Sequence, residues 1–121
     1  MKQDAAVERF IHLLLAQAFD DQATELVLGG DADADGISVP IRYKVGGVWH
    51  NMNPFPQSVR QHVVDRLWQM AGLSAEGGYP KQAVFEAGLS GRQVEWRLEM
   101  KSIDSAMVLT PVSGASGPQS R

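Results

Sequence analysis

Asp31, Asp33 and Asp35, followed by Gly36, reproduce the first half of a calcium loop, in which alternate carboxylates converge on the ion and glycine makes the turn. The second half does not follow. Arg42 stands where the bidentate glutamate would be, and the flanking residues alternate as strands do rather than as the helices of an EF-hand. The acidic run therefore reads as a solvated loop, with Asp31, Asp33 and Asp35 as a weak metal candidate. His12, His50 and His62 are the imidazoles, and no two share a helical face at ligand spacing. No serine sits in a nucleophile elbow. Gly-Gly pairs at 29, 46 and 77 lack the lysine and spacing of a phosphate loop and read as turns. Trp49, Trp68 and Trp96 invite a stacking platform, yet Trp96 lies on the apolar side of its alternation and reads as core. That leaves Arg42, Lys44 and Arg97, cations on the polar sides of two alternating segments, placed to meet an acidic or phosphate-bearing partner.

Those cations do not belong to a basic protein. Eleven Lys and Arg against fourteen Asp and Glu give a net charge of −3, which offers no field to gather a nucleic-acid backbone. Cysteine is absent, which excludes disulfides, thiolate metal centres and cysteine nucleophiles. No cofactor motif appears. The apolar run after Arg9 is too short to span a bilayer, and the charged start is unlike a secretory leader, so the reading is a soluble, cytoplasmic protein.

Residues 1–112 of the 121 suffice for one domain with a real apolar core. Val7, Phe10, Ile11, Leu14, Leu15 and Ala18 draw one apolar stripe along a helix from Asp4 to Phe19. A short strand follows at Thr24 to Leu28. Ile37, Val39, Ile41 and Tyr43 alternate with polar residues in a second, where Pro40 suggests a sheet edge. Gly46-Gly47 predicts a tight hairpin into Val48-Trp49-His50, which Asn53-Pro-Phe-Pro then interrupts. Pro56 suits the first turn of a second helix of about four turns that stops at Gly72. Past a loop from Leu73 to Lys81, strands are expected at Ala83 to Glu86, Val94 to Met100 and Ala106 to Val112, with a hairpin turn at Gly88 to Gly91. The Ser- and Gly-rich residues 113–121 read as a disordered tail. The order helix, three strands, helix, three strands, joined by short connections, predicts an antiparallel sheet with helices packed on it, an α+β fold.

Several of these segments, taken in order, resemble the N-terminal, PAS-like domain that precedes the RecA-like motor in type II secretion and type IV pilus ATPases. Ala23-Thr-Glu-Leu-Val-Leu stands for that family's Ala-Ser-Asp-Ile-His-Ile, and Ile41-Arg-Tyr-Lys-Val-Gly-Gly-Val for its Val-Arg-Tyr-Arg-Val-Asp-Gly-Val. Gln69-Met-Ala-Gly-Leu, Pro80-Lys-Gln-Ala and Gly91-Arg-Gln-Val-Glu-Trp-Arg-Leu follow in register with its Met-Ala-x-Leu, Pro-Gln-Asp-Gly and Arg-Val-Ser. The likeness spans residues 5–112. Polar positions depart: the family's Asp and His are Glu25 and Val27, its hairpin Asp is Gly46, its Arg before the proline is Gly78, and its Gly-Glu exit is near Ser105-Ala106. Arg42, Gly47 and Arg97 are kept. The residues carry no Walker A lysine, so ATP hydrolysis by the family's mechanism is excluded for them.

The resemblance implies a non-catalytic adaptor or regulator that docks on a secretion or pilus motor, or on its membrane platform, through Arg42, Lys44 and Arg97. Two other expectations stand beside it. A PAS-like sheet can enclose a small molecule or nucleotide, which makes a sensor. The chain also fits the excised front of a longer motor protein. Oligomeric state stays open at this level.

Overall fold

The computed structural model describes residues 2–29, 37–73, 78–89, 91–102 and 105–112, the side chains of 2–4 excepted. Asp31, Asp33, Asp35 and the 113–121 tail lie outside the described residues. The elements run α1 (Lys2–Asp20), β1 (Glu25–Leu28), β2 (Ser38–Val45), β3 (Val48–Pro56), α2 (Arg60–Ala71), β4 (Lys81–Leu89), β5 (Arg92–Met100) and β6 (Met107–Pro111). The six described strands join one antiparallel sheet in the order β3-β2-β1-β6-β5-β4. The fold is α+β with helices and strands in the expected order. Two local meanders, β1-β2-β3 and β4-β5-β6, meet at the β1–β6 seam.

Alternation along each strand sorts side chains onto two faces. Leu26, Leu28, Val39, Ile41, Phe55, Phe85, Trp96, Leu98, Met100, Met107 and Leu109 point to one, where Ile11, Leu14 and Leu15 of α1 and Val63 and Leu67 of α2 complete the core. Phe10 of α1 meets Phe55 of β3 edge to face, ring centroids 5.3 Å apart. The helices are also tied to each other where Arg66 Nη2 lies 2.9 Å from Glu8 Oε1.

Several boundaries differ from the sequence expectation, each for a physical reason. Pro40 does not mark an edge: β2 lies between β3 and β1. Its missing N–H falls at the irregularity in the β2–β3 pairing between Val39 and Ile41, while its carbonyl still accepts from Gly29 N at 2.9 Å. The edge is β3 instead, and an edge strand tolerates Pro54, so β3 runs through the expected break to Pro56 and seats buried Phe55 opposite Val39. Pro56 therefore caps a 3-10 turn, Gln57–Val59, and α2 begins only at Arg60. Strand β4 is longer than the expected Ala83 to Glu86 because nine residues of β5 each find a partner on it, which places Gly88 in the strand opposite Gln93. At the other end of α2, Gly72 adopts φ 71°, and Leu73 N reaches Trp68 O at 2.8 Å.

Candidate functional site

Among the described residues, the second face of the sheet carries no helix. Pairing registers place its side chains in rows across the strands. Trp49, Lys44 and Glu25 are consecutive partners on β3, β2 and β1. Carrying the β1–β6 register one residue on sets Glu25 beside Thr110, which pairs with Arg97, which pairs with Val84 on the far edge. The neighbouring row is Asn51, Arg42, Val27, Val108, Glu99 and Gln82. Arg42, Lys44 and Arg97 thus share one face, as their alternation predicts. They are not one cluster, because three strand spacings, about 14 Å, separate β2 from β5.

Charge on this face is divided. On the β2–β3 side the guanidinium carbon of Arg42 lies 4.7 Å from the Trp49 ring centroid and Lys44 Nζ lies 5.6 Å from it. Both distances suit attraction of a cation to the ring's π cloud, which holds two long side chains against the indole. On the β4–β5 side Glu95 and Glu99 flank Arg97 along β5, and Glu86 is exposed on β4. The centre is apolar: Val27 is 5% exposed although it lies outside the core cluster, and Val108 is half-buried beside it. At the two edges Trp49 (40%) and Val84 (47%) are exposed large apolar side chains.

The other sequence candidates fall elsewhere. Trp68 and Trp96 are buried on the helix-covered side, so the three indoles form no platform. His12 is half-buried on α1, His50 is exposed on β3, and His62 rims a small hollow with Val7, Asp65, Arg66 and Gln69. Among the described residues no three His, Asp or Glu side chains group as metal ligands. A larger hollow of about 660 Å³ opens at one end of the sheet between Phe19, Thr24, Arg92 and Pro111, where Arg92 stands 5.8 Å from the Phe19 ring centroid.

Sequence reasoning missed two features. Trp49 belongs with the cations, and its signal was available: a two-residue Gly46-Gly47 turn pairs Val45 with Val48, hence Lys44 with Trp49. The second joins Asp21 to Tyr43, whose hydroxyl donates to Asp21 Oδ2 at 2.7 Å while the Gln17 amide donates to the same oxygen at 2.8 Å. The Gln17 and Tyr43 donors hold Asp21 below the ordinary carboxylate value, with a smaller contribution from His50, whose ring is 5.6 Å from that of Tyr43. The same bond pushes the Tyr43 phenol up, because ionising it would set two negative oxygens together. This contact spans 22 residues and leaves no spacing signature.

No family model matches the chain, and no curated protein matches it. Among the described residues no helix is long and apolar enough to cross a membrane.

Proposed function

We propose that the chain is a non-catalytic docking module that engages a protein partner through the helix-free face of its sheet. The observation that carries this reading is the placement of Arg42, Lys44, Trp49 and Arg97 on one face around an apolar centre. An arginine held against an indole supplies the planar, forked donor and the aromatic surface that dominate protein interfaces. The resemblance to the domain that leads into secretion and pilus motors supplies the partner class: a RecA-type motor or its membrane platform, met in the cytoplasm, with no cofactor and no nucleic acid. The retained Arg42 and Arg97 are the groups that would meet it.

Affinity capture from the source organism's lysate tests this with wild type, Arg42→Glu and Arg97→Glu baits. Recovery of a RecA-type secretion or pilus motor by wild type, lost with either variant, supports the reading. Equal recovery by all three overturns the role of the face, and recovery of no such motor by wild type overturns the partner.

A further inference from the structure

The division of charge on the helix-free face has a geometric property that a generic docking surface lacks. Arg42 and Lys44 with Trp49 outnumber Glu25 on the β1–β2–β3 half, and Glu86, Glu95 and Glu99 outnumber Arg97 on the β4–β5 half. The strand order places the two halves at equal distances from the β1–β6 seam. A two-fold axis lying in the interface over that seam, within about 15° of the strand direction, therefore lays the basic half of one copy on the acidic half of the other, twice. The same operation brings Trp49 of each copy to the partner's β4 edge, where Val84 is exposed, and stacks the Val27 and Val108 centres on each other.

We infer that the helix-free face is self-complementary and pairs with the same face of a second copy of this chain about that axis. The inference rests on the reading that this face is a docking surface, and it names an occupant that the reading does not. Sheets packed face to face cross at about 30°, which displaces the partner's rows by roughly half a residue pair at the distance of β2. Arg42 and Lys44 accordingly meet the Glu95–Arg97–Glu99 ladder as a set rather than one to one. Arg97 is the like charge in that set, and it is outnumbered by the glutamates on either side of it and by Glu86. With six strands about 4.8 Å apart and four to nine residues long, the face offers a footprint of about 600 Å² a side, at the small end of stable interfaces. That size fits a dimer held by complementary charge around a modest apolar centre rather than one that forms irreversibly.

Sedimentation equilibrium across a range of concentrations tests it, on four forms of the full chain. Wild type is expected to dimerise reversibly. Arg42→Glu with Lys44→Glu makes both halves acidic, and Glu95→Lys with Glu99→Lys makes both basic; each should weaken the dimer by at least about tenfold, since like charges then face each other twice. The four-fold variant carrying both pairs exchanges the halves and restores opposition, so it should return to within about tenfold of wild type. All eight altered side chains of a dimer lie away from the helix-packed core, and circular dichroism of each form checks that the fold is kept. A monomeric wild type overturns the inference, as does a dimer indifferent to both double substitutions or a four-fold variant that stays as weak as they are. A monomeric wild type that still captures a motor through Arg97 would leave the docking reading standing while removing this one.

Discussion

The two faces of the sheet are built from the same strands, yet they follow different rules. On the helix-covered face Trp96, Leu98 and Leu109 are at most 1% exposed within a cluster of buried apolar side chains, so stability comes from area removed from water and from close packing. On the helix-free face Val27 is the one buried side chain among the described residues. It is as hidden as a core residue although it lies outside the helix-packed cluster, screened instead by its neighbours in the sheet, Arg42 on β2 and Val108 on β6. The difference teaches that burial in this protein has two sources, helix packing and lateral crowding, and that only the second leaves a surface open to a partner.

Substitutions can break or sharpen that contrast. Trp96→Ala should have the largest effect, a loss of about 3–5 kcal/mol read by chemical denaturation, because the helices cannot collapse into the volume an indole leaves. Val27→Ala should cost about 1–2 kcal/mol, less than a deletion beneath the helices, because neighbouring side chains can close over the smaller void. A Val27 loss equal to that of a core leucine would end the distinction between the two kinds of burial. Val84→Ala, at the exposed edge of the same face, should stay within about 0.5 kcal/mol. A larger change there would mean that the chain is already associated under the conditions of measurement.

The smallest effect concerns the contact of Asp21, just past α1, with Tyr43 of β2. Asp21 is held below its ordinary value, so its contribution to stability is present above the unfolded-state value and is lost as pH falls through the folded one. Tyr43 is raised, so its contribution is present below its ordinary value of about 10 and disappears as pH rises through the folded value. Tyr43→Phe should flatten both limbs of the stability curve, measured by thermal melts from acid to alkaline pH, and leave its middle unchanged in shape. An unaltered acid limb would show that the Gln17 amide alone holds Asp21.

Much of this arrangement was legible in the chain. The strict alternation from Arg92 to Met100 announces β5 and puts Arg97 on its polar side, and the glycine pair at the β2–β3 turn sets the register that joins Lys44 to Trp49. What was illegible depends on partners distant in sequence. Pro40 reads as an edge until the irregularity opposite it accounts for its missing donor. The pairing of Val27 with Val108 carries no local signal, since both are ordinary strand valines, yet it decides that the cations of β2 and the glutamates of β5 lie on the same surface. The divided face is therefore a property of topology, assembled from two half-surfaces that are each unremarkable alone.

The β1–β6 seam also shapes how the molecule is made. Each meander can form from neighbours in sequence, but the central pair joins Leu28 to Met107, residues of the first and last described strands. Closing so long a loop is slow in comparison with forming a hairpin. During synthesis, the first meander and α1 must wait with Leu26 and Leu28 at an unpaired strand edge until residues 107–111 have left the ribosome. The interval between those two events is when this sheet is most exposed to pairing with the wrong strand, and the four residues of β1 keep that open edge short.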